Sequence, residues 1–222
     1  MTDPVVLCPL EIERKAASKA VGDRAQVIRT GPGAEAVRRA IDGLRADLPP
    51  LVILFGVAGA LRYAPLCPRI DRVLDEERGR IWRVNYLMPG DTEPVGVLGV
   101  NEVVPTPARK RVLRRRFYDA SLVDCESHGF AEAMTSTGTR WTIIRGVSDW
   151  PHQSLPRQCV NWVRPDGRTA GGVVARDLAR RPWMLGEVLA LRSRTGAALD
   201  AAGHRLSRLL LLEEVYSAIV SV

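Results

Sequence analysis

The chain has 222 residues, 46% of them hydrophobic and 26% charged, and its 32 Lys and Arg outnumber 25 Asp and Glu to leave a net charge of +7. That length and apolar content suffice for one substantial core, so a single domain over residues 1–222 is expected, with a helical extension from about residue 178. No uninterrupted stretch approaches the ~20 apolar residues that span a bilayer, the opening MTDPVVLCPLEIERK with its Asp3 does not read as a secretion signal, and the positive charge is nearly all arginine without a nucleic-acid motif beside it; a cytoplasmic protein with no nucleic-acid partner is expected.

In chain order, Val5–Leu7 reads as a short apolar strand and Glu11–Ala20 as a helix. Val27-Ile28 looks like the end of a second strand, followed by the turn Thr30-Gly31-Pro32-Gly33 and a helix over Ala34–Leu48 that Pro49-Pro50 must stop. Leu51–Phe55 is the most apolar short run; bounded by Gly56 and Gly59, it is expected at the centre of a sheet, buried on both faces. Further strands are expected at Arg69–Leu74, Ile81–Tyr86 and Val95–Val100, then a helix across Pro105–Phe117 begun by Thr106 with Pro107 at its first position. The run from Arg109 to Arg116, broken by Val112 and Leu113, reads as the solvated face of that helix. Leu122-Val123-Asp124 reads as a strand tip feeding a helix over Glu126–Thr135, and Trp141–Val147 as a β-branched strand ending at Ser148-Asp149. Pro151–Arg168 reads as a mobile loop, and from Leu178 the chain is helical and rich in Arg and Leu to Val222.

This alternation is that of an α/β fold. In open α/β sheets ligands bind at the carboxyl edge of the strands, so Glu126 and Asp149, delivered there by separate strands, mark the candidate site. Cys8, Cys67, Cys125 and Cys159 stand far apart and the three histidines lack ligand spacing, so no metal site or disulfide framework is expected, and the thiols should be reduced and mostly buried. His128 is expected to pack away from ligand and His152 to sit in the loop.

Three segments carry a family likeness: Phe55-Gly56-Val57-Ala58-Gly59-Ala60-Leu61, Val123-Asp124-Cys125-Glu126-Ser127 and Arg145-Gly146-Val147-Ser148-Asp149. In this order and spacing they resemble the purine and uridine nucleoside phosphorylase superfamily, which includes the methylthioadenosine/S-adenosylhomocysteine nucleosidases. The likeness extends from Val5 to Asp149. The tail, with Asn161-Trp162-Val163-Arg164-Pro165-Asp166-Gly167-Arg168 and Arg181-Pro182-Trp183, is similar to the hopanoid-associated phosphorylase branch. The resemblance implies a three-layer α/β/α fold with a central mixed, twisted sheet. It also implies an enzyme without cofactor, homo-oligomeric, that cleaves the N-glycosidic bond of a purine nucleoside and releases adenine.

Such cleavage passes through an oxocarbenium-like ribose and an anionic base, which calls for a carboxyl group near each. By resemblance Asp149 meets purine N7, Ser148 orients it, and Glu126 accepts hydrogen bonds from the ribose hydroxyls while Cys125 packs under the sugar. A nucleophilic role for Cys125 is not expected, because neighbouring acids raise a thiol pKa. Glu13, with Glu11 two residues away as the other register, would position the attacking water beside Arg145. Gly31 and Gly33 would approach the sugar and anion, Ala58 and Gly59 belong to the glycine motif around the substrate, and Val103 and Val104 fall in the segment that faces the base.

Phosphorylases of the family carry an arginine just before the glycine motif and a hydroxyl residue within it, the groups a phosphate dianion needs. Here Leu54 and Val57 stand in those places. Water is therefore favoured as acceptor, and phosphate stays open as a co-substrate that Arg29 or Arg62 would have to reach. The tail likeness implies adenosylhopane, a nucleoside-lipid, as substrate. Trp183, Met184, Leu185, Leu189 and Leu206–Leu212, set among arginines, suit peripheral contact with an anionic membrane. A methylthioadenosine/S-adenosylhomocysteine-type nucleosidase is the alternative, and a catalytically degenerate binding protein of the same fold the outside one.

Overall fold

The computed structural model describes residues 3–87, 89–90 and 93–220, with side chains as far as Val215; Ser221 and Val222, part of the expected helical tail, lie outside the described residues. The chain alternates β1 (Val5–Cys8), α1 (Glu11–Val21), β2 (Gln26–Arg29), α2 (Ala34–Leu44) and β3 (Leu51–Ala60), then runs through β4 (Ile70–Asp75), β5 (Ile81–Arg83) and β6 (Val95–Gly99). There follow α3 (Pro107–Arg116), β7 (Ala120–Asp124), α4 (Ser127–Thr135), β8 (Arg140–Asp149), α5 (Gly171–Arg180) and α6 (Leu185–Val220).

The strands form one mixed sheet in which β3 is the junction. Its first part lies between β1 and β8, parallel to both, and Leu51–Gly59 pairs along β8 from Arg140 to Asp149. Its last two residues, Gly59 and Ala60, pair antiparallel with Val123 and Leu122 of β7, beyond which β6, β4 and β5 complete the sheet. Alternation along β3 divides the core, as the two-residue strand period requires. Val52 and Leu54 face α2 and α4 through Val37, Ile41, Phe130 and Met134, while Leu51, Ile53 and Phe55 face α1 and α6 through Ala17, Val21, Leu206 and Leu209. Leu113 of α3 joins Leu98 and Val123 in a third cluster. The expected three-layer α/β/α architecture is therefore present.

Several boundaries differ from expectation for local reasons. The Leu51–Phe55 strand does not stop at Gly56 but continues through both glycines to Ala60, because β8 and then β7 offer partners along the whole length. Helix α2 ends at Leu44 rather than Leu48: Arg45 to Asp47 are exposed, with no apolar contact to hold another turn. The strand expected over Ile81–Tyr86 shortens to Ile81–Arg83. The segment Pro151–Arg168, read as a mobile loop, is instead anchored. It holds a 3-10 turn over Arg157–Trp162, buries Trp162 with its indole N–H donating to Asp177 at 3.0 Å, and closes a small bridge between Val163 and Thr169. Helix begins again at Gly171, ahead of the expected Leu178. In α6, Leu206, Leu209 and Leu210 are core, whereas Leu211 and Leu212 are exposed, as are Trp183, Leu185 and Leu189 before them. No helix among the described residues is long and apolar enough to cross a membrane.

Candidate active site

The centre of the site is a close approach over Gly56. A Cβ there would stand 2.2 Å from Glu13 Oε1 and 2.4 Å from Arg145 Nη1, so only glycine lets both side chains pass over the strand. Glu13, in the first turn of α1, is 2% exposed and uses both oxygens to accept backbone N–H groups, from Leu10 at 2.8 Å and Val57 at 2.9 Å. Glu11 points away and pairs with Arg14 and Arg29. The two glutamates lie about 200° apart around the helix, so packing of α1 on β3 admits one of them to the site, and it is Glu13.

Arg145, buried on β8, donates from Nε to Asp124 Oδ2 at 2.8 Å and from Nη2 to Glu126 Oε2 at 3.1 Å. Its Nη1 is buried and has no hydrogen-bond partner among the described residues. Glu126 stands at the N-terminus of α4 but does not cap it. That work falls to Asp124, whose Oδ1 accepts from the N–H groups of Ser127 at 3.0 Å and Glu126 at 3.3 Å and whose Oδ2 accepts from the Ser127 hydroxyl. Glu126 is thereby released to reach across to Gly33, whose N–H donates to Oε1 at 2.9 Å. The expected glycine turn thus holds Glu126 directly through Gly33, while over Gly31 lies the carbonyl of Pro165.

Three buried carboxyls, Glu13, Asp124 and Glu126, therefore surround one guanidinium, and the imbalance shows in the proton affinities of Glu13, Glu126 and Arg145. Burial, with a further push from Glu126, raises Glu13 to about 7 against the opposing pull of Arg145. Burial likewise raises Glu126, with Arg145 opposing and Asp124 adding to the rise. For Arg145 burial works against the charge, yet the three acids more than offset it and hold the guanidinium charged.

The second acid of the pair lies at the end of β8. A register shift between Ala58 and Gly59 makes Ser148 the extra residue of a bulge, after which Asp149 pairs with Gly59. The Asp149 carboxylate oxygens stand 3.1 and 3.5 Å from where a Gly59 Cβ would be. Gly59 pairs in turn with Val123, so the Asp124–Glu126 turn and the Asp149 carboxylate flank the same end of β3. Asp149 Oδ1 accepts from Ser148 Oγ at 2.7 Å, and that same hydroxyl lies 3.2 Å from the carbonyl of Ala58. One hydroxyl hydrogen thus has two acceptors: it serves Asp149 when Oδ1 is bare and can turn to Ala58 when Oδ1 carries a proton. On Oδ2 sits the ammonium of Lys110, itself 1% exposed.

Val104 is buried and Val103 exposed, and both line a cavity of about 530 Å3 together with Asp75, Glu76, Asn101 and Arg109; neither Glu126 nor Asp149 lines it. Cys125 is half-buried, and burial with the charges of Glu126 and Asp124 raises its thiol pKa far above the ordinary value, which removes it as a nucleophile. Cys8 and Cys67 are buried, Cys159 half-buried, and all four thiols are free. His128 is buried and packs against Gly99, and His152 bonds Tyr63 at 3.0 Å on the surface. Arg29 is committed to Glu11, and Arg62 donates to the Arg114 carbonyl at 3.0 Å, so neither of the cations named for a phosphate is directed to the cluster.

Two contributors were not singled out from the sequence. Asp124 lay inside a quoted motif without a role. Lys110 lay inside a run of arginines read as solvated face, and its signal was its position three residues before Leu113, which puts both on one side of α3.

No protein-family profile and no curated protein sequence matches the chain. Solved structures do. The 5'-methylthioadenosine/S-adenosylhomocysteine nucleosidase of Helicobacter pylori superimposes with a TM-score of 0.66 at 11% identity, covering 96% of this chain and 98% of that one. The futalosine hydrolase of Helicobacter pylori gives 0.67 at 10% identity, over 96% and 98% of the two chains. The S-adenosylhomocysteine nucleosidase of Streptococcus pyogenes, solved with 5-methylthiotubericidin, gives 0.60 at 12% identity, over 92% and 97%. At such identities the likeness establishes the fold, which is that of the nucleoside phosphorylases and nucleosidases.

Proposed function

We propose that this chain is a nucleosidase that hydrolyses the N-glycosidic bond of an adenine nucleoside, with water as acceptor. The observation that carries the reading is the Glu13–Arg145–Glu126 cluster over Gly56. There a buried guanidinium donor without a partner lies next to a carboxyl raised to about 7, the two atoms a nucleophilic water needs as donor and acceptor. Phosphate fits the cluster poorly, because three carboxyls already outnumber the one cation and a dianion would add to the excess. That the three solved relatives named above are nucleosidases or a hydrolase supports the same choice.

In this mechanism the C1'–N9 bond breaks with its electron pair passing into the purine. Asp149 gives a proton from Oδ1 to N7, and Ser148 turns its hydrogen to follow. Glu126 holds the ribose hydroxyls and, with Glu13, lends negative charge to the oxocarbenium-like sugar. Water adds to C1' and its proton passes to Glu13; solvent then restores both carboxyls.

An adenosylated lipid such as adenosylhopane is the finer substrate we propose, and one surface favours it. Trp183, Leu185 and Leu189 are exposed beside the exposed Arg180, Arg181 and Arg192, an arrangement suited to an anionic bilayer. The test is adenine release from adenosine, methylthioadenosine, S-adenosylhomocysteine and an adenosylated lipid, with and without phosphate. Release without phosphate is expected, fastest from the lipid. Release only with phosphate overturns the choice of water, a small nucleoside as best substrate overturns the lipid, and no release from any of them leaves a binding protein of this fold.

A further inference from the structure

Helix α3 opens with a basic run in which every arginine faces solvent and one lysine does not. Arg109, Arg111, Arg114, Arg115 and Arg116 are exposed, whereas Lys110 is turned inward against the end of β8. A buried ammonium is costly unless each of its protons is taken up. Here all three are: Lys110 Nζ donates to Asp149 Oδ2, to the carbonyl of Trp150 at 2.7 Å and to that of Gln153 at 3.2 Å. The turn it grips is closed on itself, Gln153 Oε1 accepting from the Trp150 N–H at 2.9 Å and the Gln153 N–H donating to the Trp150 carbonyl at 2.9 Å. The same segment is tied to the start of α3 by the Leu155 N–H on the Pro105 carbonyl at 2.8 Å. No proton of Lys110 is left for a substrate, so it does not touch one.

We infer that Lys110 is a positioning residue for Asp149, fixing which carboxylate oxygen serves the leaving base. With Oδ2 committed to the ammonium, a proton carried by Asp149 resides on Oδ1, the oxygen beside Ser148. The carboxyl plane is held between the bulge on one side and α3 on the other. Through Lys110 and the Leu155–Pro105 backbone bond, the acid and the turn after it are fastened to the start of α3. The inference rests on the proposed role of Asp149 at the base.

A double-mutant cycle tests it, with purified Lys110→Met, Asp149→Asn and the double variant compared with the unaltered chain for adenine release at substrate saturation. The expected result is a loss in kcat of more than tenfold for Lys110→Met, with KM within threefold because the ribose contacts at Glu126 are untouched. In the Asp149→Asn background the same lysine change should cost less than threefold more. A kcat within threefold for Lys110→Met, or an equal loss in both backgrounds, overturns the inference. Should Lys110→Met fail to fold, the comparison of the double variant with Asp149→Asn decides alone, since removing both partners leaves no unpaired buried charge; an added loss beyond threefold overturns it. If the unaltered chain releases no adenine, the nucleosidase reading falls and this inference, which rests on it, falls with it, whereas an active chain in which Lys110→Met keeps its kcat overturns this inference alone.

Discussion

Replacing Glu13 by Gln separates chemistry from stability in a way that only a buried base over Gly56 allows. With Glu13 at about 7 in the folded protein against an ordinary 4.5, the carboxyl binds its proton more tightly folded than unfolded. It therefore favours folding below about pH 4.5, and that contribution is lost as pH rises to about 7. The difference of 2.5 units corresponds to about 3 kcal/mol at 1.36 kcal/mol per unit. Gln carries no charge and escapes this loss, but its amide nitrogen must face one of the two backbone N–H donors, from Leu10 and Val57, at a cost of about 1–2 kcal/mol. At pH 5, where about 0.8 kcal/mol of that contribution is already lost, the variant should therefore be less stable than the unaltered protein by about 1 kcal/mol or less, and at pH 8 more stable by about 1–2 kcal/mol. Urea unfolding at the two pH values measures the crossing. Adenine release should fall by about 10²–10⁴ at both, and the unaltered enzyme should lose activity as pH drops through about 7 because Glu13 must be deprotonated to take the water's proton. Equal destabilisation at pH 5 and pH 8, or a variant with unimpaired turnover, would refute the assignment.

Asp149→Asn should lower turnover at least tenfold, measured as adenine release in single-turnover experiments; retention within threefold removes Asp149 from the chemistry. Gly56→Ala should cost about 1–3 kcal/mol in urea unfolding, together with most of the activity, because the new Cβ meets Glu13 and Arg145 while each is held by other bonds. Gly43→Ala, in a helix with open space around it, is the control and should be neutral or slightly stabilising. Arg145→Met should be the most destabilising, about 3–5 kcal/mol, since Asp124 and Glu126 would be left buried without their cation; a loss under 1 kcal/mol would mean that the cluster holds fewer charges than its geometry requires.

Sequence alone was enough wherever the cause was local. The strand end at Val27-Ile28, the glycine turn after it and the helix begun at Ala34, the Thr106-Pro107 helix start, and the buried run at Leu51–Phe55 all follow from propensity, capping and period, which act within a few residues. The delivery of Glu126 and Asp149 to one end of β3 was legible too, because acids directly after apolar strands in an α/β pattern fall at the ligand-binding edge.

Tertiary structure decided what depends on phase and on contact between distant segments. Glu11 and Glu13 carry the same chemistry, and only the docking of α1 on β3 shows which one is buried. A lysine among arginines has the composition of a solvated face until α3 is laid against β8 and that residue proves to be inside. The segment from Pro151 to Arg168 looked loose because its prolines and glycines break regular structure, yet its order comes from the burial of Trp162 and the contact of Pro165 with Gly31, partners more than a hundred residues apart for the latter pair. A charge cluster is of the same kind: Glu13, Glu126 and Arg145 acquire their proton affinities from burial and mutual proximity, neither of which a linear pattern contains.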